Sequence, residues 1–93
     1  MLISPEEIKK SLSSYGWNYN NKKISKSFSF ESYKNGIEFV NKVADLSDAK
    51  NHHPEILIEW CKVTIEIASH EFGGVTTKCV NLAMDIELNT KNL

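Results

Sequence analysis

Hydrophobic and polar positions change period several times along the chain, and each change marks an element. Ile8, Leu12 and Tyr15 recur at helical spacing behind "SPEE", where Ser4 can cap, Pro5 suits the first helical position and Glu7 completes a capping box. Gly16 should stop that short helix. "WNYNNKKISKSFSF" reads as two strands around a tight turn at Asn20-Asn21, with Trp17 and Tyr19 alternating before it and Ile24, Phe28 and Phe30 sharing a parity after it.

From about Glu31 to Ser47 the period is helical again: Tyr33, Ile37, Val40 and Ala44 form one stripe, widened by Gly36, Phe39, Val43 and Leu46. Asp48 to Pro54 is polar and reads as a connection, with Pro54 biasing His53 toward an extended backbone. "EILIEWCKVTIEIASH" then predicts two strands meeting near Trp60 to Lys62, with Val63, Ile65 and Ile67 on one face and Thr64, Glu66, Ala68 and His70 on the other. "EFGGVTTK" reads as a loop whose paired glycines permit close backbone approach, and Thr76 or Thr77 can cap a last helix with a stripe of Val80, Ala83 and Ile86, helped by Leu82. The expected fold is α+β, in the order α-β-β-α-β-β-α. Half-polar alternation predicts a four-stranded antiparallel sheet with helices packed on one face, and an exposed sheet edge or face favours oligomers.

Composition narrows the classes of function. At 93 residues, 41% hydrophobic and 25% charged, the chain predicts a single domain, residues 1–93, able to fold on its own core. The net charge of -1 divides into seven lysines against five acids up to Leu46 and four against seven beyond it, too mild a field to attract a polyanion. All eleven basic residues are lysine, which removes arginine's bidentate reading of phosphate or guanine, so no direct nucleic-acid partner is expected. Cys61 and Cys79 form no CxxC pair, which fits a reducing compartment, and no segment is apolar enough to span or target a membrane. The expected location is cytoplasmic.

Candidate chemistry centres on "NHHPE", Asn51 to Glu55, because the chain has only one further histidine, His70. Metal chelation is disfavoured: adjacent side chains of an extended segment point apart, and the spacing matches neither HExxH nor a zinc finger. Acid/base work requires only that His52, His53 and His70 line one site, with Asp48, Glu55, Glu66 or Glu71 orienting an imidazole. The competing reading is a polar loop in which one imidazole caps a helix C-terminus and the other is solvated, with His70 a surface residue at a strand end. Cys79 reads as a small buried residue of the last helix, and Trp17 and Trp60 as core or interface aromatics.

Taken together, Asp48, three residues, His52-His53-Pro54, Trp60 six positions beyond the proline, His70 and "GGVT" from Gly73 resemble the pterin-4a-carbinolamine dehydratase family. The resemblance continues through "GWN" at Gly16, the aromatics of "FSFESY" and "NLAMDI" at Asn81, and so covers nearly the whole chain. It implies dehydration of 4a-hydroxytetrahydropterin to quinonoid dihydropterin in support of aromatic amino acid hydroxylases, without a metal or organic cofactor. By resemblance His52 and His70 are the acid/base pair, His53 positions the pterin and Asp48 supports the site. Asn51, Pro54, Glu55, Trp60, Glu71 and Cys79 fall around them as substrate-binding or supporting candidates. Dimers that extend the sheet, or tetramers, are implied as well. So are two other roles found among similar proteins: dimerisation of a homeodomain transcription factor, and pterin binding in molybdopterin or folate metabolism. One position departs from the family pattern, which places an aspartate nine residues after the third histidine where this chain has Cys79. A thiol lacks the acceptor strength of a carboxylate, so reduced or altered activity is expected.

Overall fold

The computed structural model describes residues 1–93. Its elements are α1 (Pro5–Leu12), a 3-10 turn (Ser13–Tyr15), β1 (Asn18–Asn20), β2 (Lys23–Ser29), α2 (Tyr33–Lys50), β3 (Glu55–Glu59), β4 (Lys62–Ile67) and α3 (Thr77–Asn89). The fold is α+β, with one antiparallel sheet in the order β1-β2-β4-β3. No helix is long and apolar enough to cross a membrane.

Part of the expected N-terminal signal forms: Ser4 Oγ accepts from Glu7 N–H and Pro5 opens the helix, but the Glu7 carboxylate makes no return bond to Ser4 N–H, so the capping box is half made. Ile8 and Leu12 are buried, but Tyr15 lies in the 3-10 turn and is exposed. Gly16, at φ +88°, takes the left-handed conformation that ends the segment. The β1–β2 turn falls one residue later than expected, at Asn21 and Lys22, with φ of 53° and 65°. Positive φ at both central residues is the geometry that matches the twist of paired strands.

Register places Ile24 opposite Ile67, Lys26 opposite Ile65 and Phe28 opposite Val63, and on the far side of β4 it pairs Ile56 with Ile65 and Ile58 with Val63. Period-two alternation therefore puts these residues on the face covered by the helices, where Ile24, Val63, Ile65 and Ile67 are fully buried. Lys26 belongs to the same face. Its ammonium, 4.6 Å from the centre of the Phe28 ring, bonds to Glu87 of α3, which also accepts from Trp17 Nε1 at 2.9 Å.

On α2 the buried residues are Gly36, Phe39, Val43 and Ser47, whereas Tyr33 and Ala44 of the expected stripe are exposed. The helix is rotated toward its glycine. A Cβ at Gly36 would lie 3.4 Å from Val63 and 3.5 Å from Phe30, so glycine lets the helix approach the sheet and Phe39 stack at 4.6 Å from Phe28 and 5.1 Å from Phe30. The helix also runs one turn beyond Ser47, taking in Asp48 to Lys50. Trp17 is in the core, but Trp60, at the tip of the β3–β4 hairpin, is 80% exposed; the two-residue turn leaves it no neighbour to pack on.

Candidate functional site

The histidine pair is aimed by the end of α2. Asn51 takes a left-handed conformation (φ 50°, ψ 44°); its N–H bonds to Asp48 O, and the next N–H, of His52, reaches back to Ser47 O at 3.1 Å. These two bonds form a Schellman motif, which reverses the chain within one residue and brings His53 back toward the helix it has just left. Pro54 then keeps the chain extended into β3. His53 Nε2 consequently donates to Asp48 Oδ1 at 2.8 Å, which fixes its tautomer. Both partners of this pair are exposed.

His52 turns inward. Its Nε2 lies 3.2 Å from the Sγ of Cys79, which is fully buried in the first turn of α3 and also 3.5 Å from Thr76 Oγ1. Thr76 stands at the N-cap with extended backbone, but its hydroxyl faces the thiol and caps no helix N–H. Burial lowers the pKa of His52 below the ordinary histidine value, and the positive charges of Lys78, His53 and His70 lower it further.

His70 is exposed on the loop that joins β4 to α3. Ser69 closes this loop: its N–H bonds to Gly74 O at 2.7 Å, its carbonyl accepts from Gly73 and Gly74, and its Oγ accepts from Phe72 N–H. Gly73 supplies the positive φ of 68° that the loop needs. Ile3 N–H bonds to Val75 O at 2.9 Å and pins the loop to the N-terminal segment. A cavity of about 400 Å³ flanks this loop, lined by Leu2, Ile3, Tyr19, Lys22, Phe72 and the Gly73–Val75 backbone.

The structure thus brings Asp48, Asn51, His52, His53 and Pro54 at the end of α2 to Cys79 in the first turn of α3, while His70, on the β4–α3 loop, acts on His52 through its charge. Other candidates lie apart. Glu55 and Glu66 turn to Lys23, at 3.7 and 3.2 Å, on the solvent face of the sheet. Glu71 is exposed, and Trp60 sits at the opposite end of β3 from the histidines, roughly 16 Å along the strand at 3.3 Å per residue. Thr76, against Cys79, and Lys78, whose charge acts on His52, are neighbours of the pair that the histidine pattern did not reveal; only their place after "GGV" hinted at them. No group of three or more His, Cys, Asp and Glu side chains is placed to hold a metal ion.

Fold and site define a small α+β domain that gathers three imidazoles and a lysine between the ends of two helices packed on an antiparallel sheet. Residues 1–88 match the family described as pterin 4 alpha carbinolamine dehydratase. A protein of Sulfolobus acidocaldarius provisionally named pterin-4-alpha-carbinolamine dehydratase is 37% identical, over 92% of this chain and 96% of its own. A protein of Aquifex aeolicus with the same provisional name is 35% identical over 98% of this chain and 93% of its own. A solved structure described as a transcriptional coactivator/pterin dehydratase from Brucella melitensis shares the fold, with a TM-score of 0.87 and 23% identity over 95% of this chain and 97% of that one. The chain belongs to the pterin-4a-carbinolamine dehydratase family, and at the level of the family its assignment is that of a dehydratase, a hydro-lyase.

Proposed function

We propose that this protein removes water from 4a-hydroxytetrahydropterin to give quinonoid dihydropterin, with His52 and His70 as the acid/base pair and His53 as a substrate-positioning group. The observation that supports the reading is the placement of His52 against Cys79 and of His53 against Asp48 where two helix ends meet, with the charge of His70 acting on His52. In the reaction the C4a–O bond breaks; one imidazole gives its proton to the departing oxygen, which leaves as water, and another takes the proton of a ring N–H. Two protons change place and no oxidant is required. Positioned imidazoles suit such a step because their ordinary pKa lies near neutrality, and acid/base placement of this kind contributes about 10² to 10⁴ in rate. With a thiol in place of the family's carboxylate at position 79, activity is altered but retained.

The working form is a homo-oligomer in which the sheet continues through β3. This strand is an edge, and Leu57 (58% exposed), Ile58 (39%) and Trp60 leave apolar surface beside its unpaired backbone, the combination that invites strand addition. Dehydration of freshly generated 4a-hydroxytetrahydropterin tests the activity. Wild type should accelerate it, and His52→Ala and His70→Ala, shown to be folded, should each lose about 10²-fold or more. Folded wild type that gives no acceleration ends the reading. Light scattering on Leu57→Lys tests the edge: unchanged mass would rule out β3 as the contact.

A further inference from the structure

The two nitrogens of His52 lie in different surroundings. Nε2 is taken by Cys79 Sγ at 3.2 Å. Nδ1 has no partner in the protein, and since no buried side-chain nitrogen or oxygen is left unpaired, Nδ1 keeps contact with solvent. His52 therefore offers one nitrogen outward and is anchored by the other.

What anchors it is a cysteine sulfur, where a carboxylate oxygen is absent. Thr76 Oγ1, behind the thiol, is a neutral hydroxyl. The charged and titratable groups facing His52 are Lys78 from α3, His53 from its own loop and His70 from the β4–α3 loop. No carboxylate acts on His52: Asp48 of α2 bonds to His53, Glu55 and Glu66 pair with Lys23, and Glu71 is exposed. An imidazole so placed gains nothing from becoming a cation.

We propose that Cys79 is a positioning residue that commits His52 to the base role, holding Nε2–H without a charge so that the Nδ1 lone pair faces the substrate. Resting on the dehydratase reading, this divides the labour: His52 Nδ1 takes the ring N–H proton, and the proton for the leaving oxygen comes from another imidazole. Cys79 itself touches no reacting atom, and His52 returns its proton to water once product leaves. A carboxylate at position 79 would accept from Nε2–H and stabilise the imidazolium, moving His52 toward the acid role.

Nitrogen-15 NMR of the histidines, recorded against pH without pterin, reads this directly. Wild-type His52 should show Nε2–H as its neutral tautomer, and Cys79→Asp should raise its titration midpoint by about one pH unit or more, since a carboxylate within about 4–6 Å favours the cation by that amount. Cys79→Ser, which keeps a neutral donor and acceptor, should leave the midpoint near wild type. The acid limb of the pH–rate profile should move up with the midpoint in Cys79→Asp. A wild-type Nδ1–H tautomer, or equal midpoints in wild type and Cys79→Asp, would overturn the proposal. The wild-type spectrum decides the tautomer even if Cys79→Asp does not fold. Because the titration needs no substrate, a shifted midpoint in a protein that dehydrates no pterin would count against the dehydratase reading alone.

Discussion

Asn51 joins the stability of the fold to the geometry of the site, and replacing it separates the two. The residue sits at φ 50°, ψ 44°, and the bonds from Asn51 N–H to Asp48 O and from His52 N–H to Ser47 O depend on that conformation. A left-handed conformation costs an ordinary L-residue roughly 1–2 kcal/mol, least for asparagine among residues with a Cβ and nothing for glycine. Asn51→Val should therefore lose about 1–2 kcal/mol, near the upper end because β-branching crowds this region further. Asn51→Gly should stay within about 0.5 kcal/mol, as relief of strain offsets the greater freedom of the unfolded chain. For a domain of this size each kcal/mol lowers Tm by about 4–8 °C. Urea unfolding with an unchanged m-value measures the difference, and the dehydration assay, run where both variants are folded, should show a larger loss for Asn51→Val because its histidines are re-aimed. Equal stability of the valine and glycine variants would refute the argument that this turn is conformationally demanding.

Three further outcomes are expected. Lys22 holds φ 65° in the β1–β2 turn, so Lys22→Gly should stabilise by about 0.5–1 kcal/mol in urea unfolding, since glycine meets that conformation freely. Glu87→Ala should cost about 1–3 kcal/mol, because it leaves the buried Trp17 N–H and the half-buried Lys26 ammonium without an acceptor; the same titration would show it. His52 has a lowered pKa in the fold, so below the ordinary histidine value the unfolded chain binds more protons than the native one. Its contribution is a loss of stability as pH falls from that ordinary value to the lower folded one, levelling off beneath it, and His52→Gln should flatten this part of the stability–pH curve.

Much of the architecture was legible because it depends on local chemistry. "SPEE" carries its own cap and first turn, alternation in "VTIEI" assigns each side chain to a face, and a proline after two histidines keeps the chain extended whatever surrounds it. The errors arose where two periods overlap or where a neighbour decides. On α2 the expected face includes Gly36, Phe39 and Val43, which are buried, but also Tyr33 and Ala44, which the docking of Phe39 on Phe28 and Phe30 beside Gly36 turns out to solvent. Trp60 is apolar enough for a core or an interface, and its place on the hairpin tip excludes only the core.

Capping, periodicity and proline restriction act within a few residues, so the order of elements, the α+β class and the histidines available for proton transfer follow from the chain alone. Which of those residues meet depends on how the elements pack. Asp48 joined the last turn of α2 and took His53, Glu55 and Glu66 went to Lys23, and Cys79, separated from His52 by 27 positions, closed on its Nε2. The first turn of α3 also brought Lys78, whose charge acts on that imidazole. Such pairings depend on how helix ends approach across the core, a distance that no local pattern encodes.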